Sequence, residues 1–289
     1  MITERAYAKI NLSLDVTGRR PDGYHEVRMI MQTVDIYDTL VFEKKDEGIS
    51  IDVGGSDLPV DEDNLIYKAA KAVMDKCEIT DGVKISLDKH IPIAAGMAGG
   101  SSDAAAALRG VNRLFECELT YDELRELGVK IGADVPYCVE GGTVLAEGIG
   151  EKLTPLSQLP EYTIAVAKPQ EGVSTGNIYK ALDEIFDSIS HPDVDAMLSS
   201  MRTCSGTGFL KYLGNVLEYV TEPRCPDITK IKKIFDEGGS IGTLMTGSGP
   251  TVFAFFGDED KARSAVESVR NARLASENES FVTTLKKLY

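Results

Sequence analysis

The feature that most constrains this chain is a segment of small residues that connects a strand pattern to a helix pattern. The segment runs from Ile91 to Asp103 and consists mainly of glycine, alanine and serine. Apolar residues alternate before it, over 83–87, and recur at helical spacing after it, over 104–115. Small residues let a backbone approach an anion closely, and a helix N-terminus carries about half a positive charge. The segment therefore predicts either a phosphate cradle or a tightly packed strand-to-helix turn.

Two known phosphate-binding motifs do not fit this first glycine-rich segment. No lysine follows the glycines where a Walker A loop requires one, and the glycine spacing is not that of a dinucleotide-binding loop. Ser101 or Ser102 is predicted to cap the following helix, because a hydroxyl can accept from the unpaired amides of a first turn. A second glycine-rich segment, Thr246 to Thr251, is equally ambiguous alone. Two such segments in one chain favour phosphate handling.

Composition limits the classes of function. The 289 residues carry a formal charge of −15, which makes binding to nucleic acid or to an anionic membrane unfavourable. A nucleotide enzyme of this charge needs a locally positive site made of backbone amides, a helix N-terminus, a few lysines and a bound cation. No stretch approaches the roughly 18 apolar residues of a membrane span. The first residues show no secretion signal, so a cytoplasmic location is predicted.

Five cysteines are scattered along the chain, and no two of them form a C-x-x-C pair. They are Cys77, Cys117, Cys138, Cys204 and Cys225. An odd, widely spaced set in a chain of this length argues against a disulfide framework or a zinc site. We expect core or surface thiols in a reducing compartment.

Strand and helix patterns alternate along the whole chain, without internal repeats. The first strand is predicted over Ala6 to Leu14 and a helix over Asn64 to Cys77. After about Thr154 the pattern restarts, with strands near 162–167 and 281–285, a strand pair around the second glycine-rich segment, and helices near 175–186, 208–220 and 259–270. This interleaving predicts an α+β protein of two domains, 1–155 and 156–289.

Three polar residues are candidates for phosphoryl transfer, which needs a phosphate cradle, charge compensation and a group that deprotonates the attacking hydroxyl. Asp134 lies among small and apolar residues, where an unpaired carboxylate is unfavourable. It is a candidate base, or else a helix cap or an ion-pair partner. Lys9 and Asn11 share the polar face of the first strand. Each is either part of a site or a polar residue on a solvated strand.

Tyr24 and His25 follow a turn signal at Pro21 to Gly23. Together they suit stacking on a base and hydrogen bonding to its edge, although a turn before an amphipathic strand would look the same. The three histidines, His25, His90 and His191, lack the spacing of metal ligands, and no nucleophile-elbow motif is present. A metalloenzyme or a hydrolase therefore receives little support.

These segments resemble those of a known superfamily. Pro92 to Ser102, with the alanine-rich helix behind it, is similar to the phosphate-binding motif of the GHMP kinases, and the second glycine-rich segment is similar to their C-terminal motif. Further strings, in the same order, resemble one member closely, a kinase of the non-mevalonate isoprenoid pathway that acts on a cytidine-diphosphate-linked polyol. These strings are 8–12, 20–25, 31–35, 63–66, 132–136 and 147–151.

The resemblance implies a role for each candidate residue. Asp134 would be the general base that takes the proton from the substrate's 2-hydroxyl, and Lys9 would position that group and offset charge. Asn11, Tyr24, His25 and Tyr179 would bind the substrate, the last three at the cytosine. ATP would be bound by the first glycine-rich segment and two residues near it: Pro92, Ile93, Ala94, Ala95, Gly96, Met97, Ala98, Gly99, Gly100, Ser101, Ser102, Asn64 and Lys89.

The resemblance also implies the fold and the cofactor. The N-terminal domain would be of the ribosomal-protein-S5 domain-2 type and the C-terminal domain ferredoxin-like. Mg²⁺ is expected because phosphoryl transfer needs a metal to offset developing charge, and its ligands are unknown. We expect a monomer or a weak homodimer.

Departures from the family pattern are small. Met97 stands where leucine is more usual, and Ala94, Ala95 and Ala98 replace glycines of some members. Backbone amides form the cradle, so alanine would serve if φ is negative there. The tail beyond about residue 256 carries no motif. Another GHMP kinase, or a non-catalytic nucleotide-binding protein on the same fold, remains an alternative.

Overall fold

The computed structural model describes residues 1–54, 58–203 and 206–286, and these form an α+β fold. The strands are β1 (Ile2–Arg19), β2 (His25–Lys45), β3 (Ile49–Asp52), β4 (Gly82–Asp88), β5 (Thr143–Gly148), β6 (Lys152–Pro155), β7 (Thr163–Ala167), β8 (Gly214–Asn215), β9 (Gly242–Met245), β10 (Val252–Phe256) and β11 (Ser280–Thr284). The helices are α1 (Leu65–Lys76), α2 (Gly99–Leu114), α3 (Tyr121–Val129), α4 (Val135–Glu140), α5 (Thr175–Asp183), α6 (Val194–Thr203), α7 (Glu218–Thr221), α8 (Asp227–Glu237) and α9 (Glu259–Asn271).

The chain divides into two compact units, and each contains several stretches of sequence. Unit 1 comprises Met1–Ala8, Ile36–Ile93 and Ala98–Gly141, and unit 2 comprises Lys9–Asp35, Ala94–Met97 and Gly142–Tyr289. The long strands β1 and β2 contribute residues to both. This division does not test the predicted boundary near residue 155, which stays a prediction.

Unit 1 packs helices against a short sheet. Residues 39–45 of β2 pair antiparallel with β4, and β4 pairs in parallel with β3. Helix α2 packs on α1 and α4, and α3 packs on α4. A Cβ atom on Gly110 of α2 would lie 2.3 Å from Cε2 of Phe42, which is fully buried in β2. Glycine at position 110 therefore lets α2 pack closely on the sheet of unit 1, and this packing fixes the position of the helix.

Unit 2 contains an antiparallel four-stranded sheet in the order β11-β7-β10-β9. Val252 of β10 lies opposite Ala167 of β7 and opposite Met245 of β9. Helices α8 and α9 pack on this sheet and on each other. In the same unit, residues 27–32 of β2 pair antiparallel with β5, β5 pairs with β6, and β8 pairs in parallel with Ser13 and Leu14 of β1.

Most of the predicted elements are confirmed. Helix α1 is capped by Asn64, whose side chain accepts from the Ile66 amide, and the capping box of Thr120 and Glu123 begins α3. The helix predicted over 208–220 is wrong. That stretch holds a 3₁₀ turn at Thr207–Tyr212, then β8, and then the four-residue α7. Gly214 and Asn215 pair with β1 there, and this long-range pairing interrupts the helical pattern.

The structure bears on the predictions about the cysteines and about membrane spans. Cys77, Cys117, Cys138 and Cys225 are free thiols, whereas Cys204 lies outside the described residues. Burial, followed by a hydrogen bond with Cys77, raises the pKa of Cys117 to about 12, so this thiol is unreactive at neutral pH. Across the described ranges no helix is both long and apolar enough to cross a membrane.

Candidate active site

Lys9 and Asn11 are buried in unit 2 and bonded to each other. The Lys9 Nζ donates to Asn11 Oδ1 at 2.7 Å and to the Gly96 carbonyl at 3.1 Å. Only 4% of Lys9 and none of Asn11 is exposed. A buried ammonium is unfavourable unless it is paired and hydrogen-bonded, so these contacts hold Lys9 in a defined place. Neither residue is a polar decoration on a solvated strand.

Asn11 also joins β1 to the second glycine-rich segment. Its backbone amide donates to Thr246 Oγ1 at 3.0 Å, and its Oδ1 accepts from the Gly247 amide at 3.1 Å. Asn215 supports the same segment, donating from Nδ2 to the carbonyls of Met245 and Gly247 at 2.9 and 2.8 Å. The side-chain oxygen of Asn11 therefore contacts both Lys9 and the second glycine-rich segment. The sequence alone had left the role of that segment open.

The two glycine-rich segments touch in unit 2 at Gly96 and Gly247. Both have a positive φ, +69° and +59°, which favours glycine. A Cβ atom on Gly247 would lie 2.7 Å from the Gly96 carbonyl oxygen, closer than real Cβ atoms approach other atoms. Glycine at both positions is therefore required by the close approach of two backbones.

The residues expected to bind the base lie at the end of the turn before β2 and on α5. Tyr24 is 59% exposed, and the His25 ring lies 4.9 Å from the Tyr179 ring, centroid to centroid, at a tilt of 40°. His25 Nε2 lies 2.7 Å from Asp183 Oδ1, and Arg19 is ion-paired with the same carboxylate at 3.3 Å. The structure therefore brings His25 and Tyr179 together, 154 positions apart in the sequence, and adds Asp183 to them.

In unit 1 the first glycine-rich segment enters helix α2 through a residue that was not predicted. The N-cap is Ala98, in the left-handed conformation at φ 59°, and it makes no side-chain capping bond. The expected caps Ser101 and Ser102 are wrong, because both lie inside the helix and the Ser102 hydroxyl donates to the Tyr7 carbonyl at 2.6 Å. The amides of the first turn of α2 thus keep the polarity that suits an anion.

Alanine was expected to serve in this segment if its φ is negative, and this condition is not met at two positions. Ala94 and Ala98 have φ values of 52° and 59°. A residue with a Cβ atom is strained by about 1–2 kcal/mol in this conformation. The segment therefore holds two strained alanines, and the surrounding contacts maintain them.

Lys89 of unit 1 lies between two buried carboxylates. Its Nζ donates to Asp38 Oδ2 at 2.5 Å and to Asp103 Oδ2 at 2.8 Å. Asp38 Oδ1 accepts from the amides of His90 and Ile91, at 2.5 and 2.8 Å. A Cβ atom on Gly99 would lie 3.3 Å from this Nζ, so the ammonium sits beside the first residue of α2.

Burial and ion pairing shift the pKa values of Asp103 and Lys89. Burial raises the pKa of Asp103 to about 7, against the opposing attraction of Lys89. Burial alone would lower the pKa of Lys89, but its two carboxylate partners outweigh that effect and raise it. Asp103 Oδ1 is buried and has no hydrogen-bond partner among the described residues. Lys89 is thus a neutralised cation, and its expected contact with ATP stays a prediction.

Asn64 is engaged at both ends of its side chain. It accepts from the Ile66 amide at 2.8 Å and donates to the Pro59 carbonyl at 2.6 Å. These bonds fix the start of α1. Contact of Asn64 with ATP stays a prediction.

Asp134 is the half-buried residue that precedes α4, and its side chain does not cap that helix. Asp134 thus occupies the N-cap position, as one interpretation expected, but its side chain makes no capping hydrogen bond. Two residues earlier, a Cβ atom on Gly132 would lie 3.9 Å from Ser101 Oγ in the first turn of α2. Within unit 1 the segment that carries Asp134 thus runs beside the helix end expected to hold phosphate.

Comparison with known proteins gives a consistent result. The GHMP kinases N terminal domain matches residues 64–142, and the GHMP kinases C terminal domain matches residues 205–275. A 4-diphosphocytidyl-2-C-methyl-D-erythritol kinase of Lachnospira eligens is 48% identical over 96% of this chain and 97% of its own length. The enzyme of the same name from Exiguobacterium sibiricum is 47% identical over 93% of this chain and 94% of its own length.

This chain belongs to the 4-diphosphocytidyl-2-C-methyl-D-erythritol kinase family of the GHMP kinases.

Solved structures agree with this family. A crystal structure of a 4-(cytidine 5′-diphospho)-2C-methyl-D-erythritol kinase matches with a TM-score of 0.83 at 32% identity, over 99% of this chain and all of that one. A homoserine kinase from Cytophaga hutchinsonii matches with a TM-score of 0.72 at 18% identity, over 98% of this chain and 95% of that one, which shows the fold alone. The resemblance to the GHMP kinases and the α+β class are confirmed.

Sequence reasoning missed three side chains that organise the site residues of this family member. They are Asp183, Asp38 and Asp103. A signal existed for Asp183, because it lies four residues after Tyr179 and so shares a helix face with it. No short spacing in the sequence marked Asp38 or Asp103, because their shared partner Lys89 lies 51 positions from the first and 14 from the second.

Proposed function

We propose that this chain is an ATP-dependent kinase that phosphorylates the 2-hydroxyl of 4-(cytidine 5′-diphospho)-2-C-methyl-D-erythritol, a step of the non-mevalonate isoprenoid pathway. The observation that carries the proposal is the near full-length similarity, at 48% identity, to a relative that bears this enzyme's name. The buried Lys9 and the His25–Tyr179 pair support it, because a kinase of this substrate needs both a fixed cation and a place for a base.

The proposed reaction assigns a role to each candidate residue. The substrate hydroxyl oxygen attacks the γ-phosphorus of ATP, the bond from that phosphorus to the bridging oxygen breaks, and ADP leaves. Asp134 accepts the hydroxyl proton, and Lys9 orients the hydroxyl and offsets negative charge. The first-turn amides of α2 bind phosphate oxygens. Tyr24, His25 and Tyr179 bind the cytosine.

Mg²⁺ supplies charge compensation when it is bound with ATP. No group of three or more His, Cys, Asp and Glu residues in the described part of the chain could hold a metal ion. Mg²⁺ does not need such a cage, since it is commonly held by one or two carboxylates together with substrate phosphates. Its side-chain ligands stay unassigned. The cytoplasmic location and the monomeric or weakly dimeric state also stay predictions.

The test is an ADP-release assay with ATP, Mg²⁺ and the cytidylyl substrate, run beside mevalonate and homoserine. Turnover with the cytidylyl substrate alone is expected. Turnover with mevalonate or homoserine instead would support kinase activity but contradict the cytosine-binding roles of Tyr24, His25 and Tyr179. Folded protein that binds ATP and turns over none of the three would indicate a non-catalytic nucleotide-binding protein.

A further inference from the structure

Asp183 is the last residue of α5 and contacts His25 at the start of β2. The 2.7 Å distance from His25 Nε2 to Asp183 Oδ1 is that of a strong hydrogen bond. The second oxygen of the same carboxylate lies 3.3 Å from an Arg19 nitrogen. Asp183 is thus held from both sides, and its position fixes that of the histidine ring.

The chemistry of the two partners determines where the ring proton lies. An ionised carboxylate only accepts hydrogen bonds, so Nε2 of His25 must carry the proton that it shares with Asp183. In the neutral ring the other nitrogen, Nδ1, then keeps its lone pair and acts as an acceptor. Only 10% of the His25 side chain is exposed, which limits the solvent competing for the ring.

Helix α5 presents the acid and an aromatic ring to His25 together. Tyr179 and Asp183 are four positions apart and so lie about one helical turn apart on one face. The Tyr179 ring lies 4.9 Å from the His25 ring, while Asp183 holds the edge of that ring. The two contacts therefore fix the orientation of the histidine ring, and the hydrogen bond to Asp183 selects its tautomer.

We propose that Asp183 is a positioning residue for base recognition. It holds His25 with Nε2 protonated, so that Nδ1 accepts from the exocyclic amino group of cytosine. Uracil carries a carbonyl oxygen in place of that amino group, and two acceptors facing each other lose the hydrogen bond and leave both unsatisfied. The inference rests on the proposed function, since it concerns the base of that substrate.

The test compares the cytidylyl substrate with its uridylyl counterpart. The quantity measured is the ratio of the two kcat/KM values for the wild type and for Asp183→Asn. An asparagine amide can donate to Nε2 and so favour the other tautomer, in which Nδ1 carries the proton. We expect the preference for cytosine to fall about tenfold or more, by the size of one hydrogen bond in a specificity site. Asp195→Asn, which removes an acid paired with Arg28 elsewhere in unit 2, is the matched control and leaves the ratio unchanged.

A role through His25 is separated from a merely structural one in two ways. In a His25→Ala background, adding Asp183→Asn has no further effect on the ratio. ¹⁵N NMR of the wild type, with His25 assigned by its absence in His25→Gln, shows Nε2 protonated and Nδ1 unprotonated. This spectrum needs no variant of Asp183 and so decides the point even if Asp183→Asn fails to fold.

Each result has one meaning. An active wild type whose cytosine preference is unchanged in Asp183→Asn overturns the inference alone, as does a spectrum with Nδ1 protonated. A wild type that turns over neither nucleotide overturns the proposed function and the inference with it. A reduced ratio, absent in the His25→Ala background, supports both.

Discussion

A Cβ atom on Gly96 would lie 2.5 Å from the carbonyl oxygen of Thr246. The backbone of the first glycine-rich segment is therefore in direct contact with that of the second, although 150 positions separate the two residues. The Gly96 carbonyl also accepts from Lys9 at 3.1 Å, so any shift of this backbone moves the acceptor of a buried cation. The fold at this point tolerates only glycine.

Gly96→Ala is expected to destabilise the protein by about 2–4 kcal/mol. Part of the loss is backbone strain at φ +69°, and part is the overlap with Thr246. Urea unfolding measures the change. Gly172→Ala is the control, because a Cβ atom there meets nothing within 4 Å, and a change within about 0.5 kcal/mol is expected for it. Equal stability of the two variants would contradict the close contact.

Ala98→Gly is expected to stabilise the protein by up to about 1 kcal/mol. Glycine removes the strain of a Cβ atom at φ 59°, and this gain exceeds the extra flexibility that glycine adds to the unfolded chain. The midpoint of urea unfolding measures it. Ala95 is absent from the positive-φ residues, so Ala95→Gly is the control and loses about 0.5–1 kcal/mol. A loss for both would show that Ala98 is unstrained.

Asp134→Asn is expected to lower turnover by a factor of about 10²–10⁴ and to leave the Kd for ATP within about twofold. The amide keeps the shape of the carboxylate but cannot accept the hydroxyl proton. Steady-state kinetics and calorimetric titration with ATP give the two quantities. Asp75→Asn removes an exposed acid paired with Lys71 on α1 and serves as the control with unchanged turnover. Parallel loss of ATP binding and turnover would argue against a base.

Asp103 is expected to make stability fall as pH rises from about 4 to about 7. Its pKa is raised from 3.8 to about 7 in the folded state, chiefly by burial, so in this window the folded protein holds a proton that the unfolded chain has lost. Stability from this group is fully present below the unfolded pKa and is lost through the folded one. The unfolding free energy of Asp103→Asn minus that of the wild type therefore rises across the window.

Urea unfolding at several pH values checks this slope. Asp195→Asn is the control, because a hydrogen bond from Arg28 lowers the pKa of Asp195, so its contribution to stability does not fall as the pH rises through this window. A flat difference for Asp103→Asn as well would mean that Asp103 is ionised throughout, despite its burial.

Local sequence predicted the elements that depend on local chemistry. Alternation revealed β1, apolar residues at helical spacing revealed α1, and the glycine-rich segments marked two turns. It failed at Ser101 and Ser102, because the choice of a cap depends on which backbone angle Ala98 adopts. Local sequence also failed over 208–220, where it predicted a helix, because Gly214 and Asn215 pair with β1 as a strand.

The sequence by itself determined the family, the helix and strand patterns and the identity of most candidate residues, since these depend on residue types and short spacings. Only the tertiary structure decided that Lys9 is buried, that Lys89 is shared by two acids and that Asp183 holds His25. His25 and Asp183 are 158 positions apart, and Asn11 and Thr246 are 235 apart. A hydrogen bond joins atoms about 3 Å apart, and folding alone decides which distant residues come that close. The spacing of residues in the sequence therefore does not predict such partners.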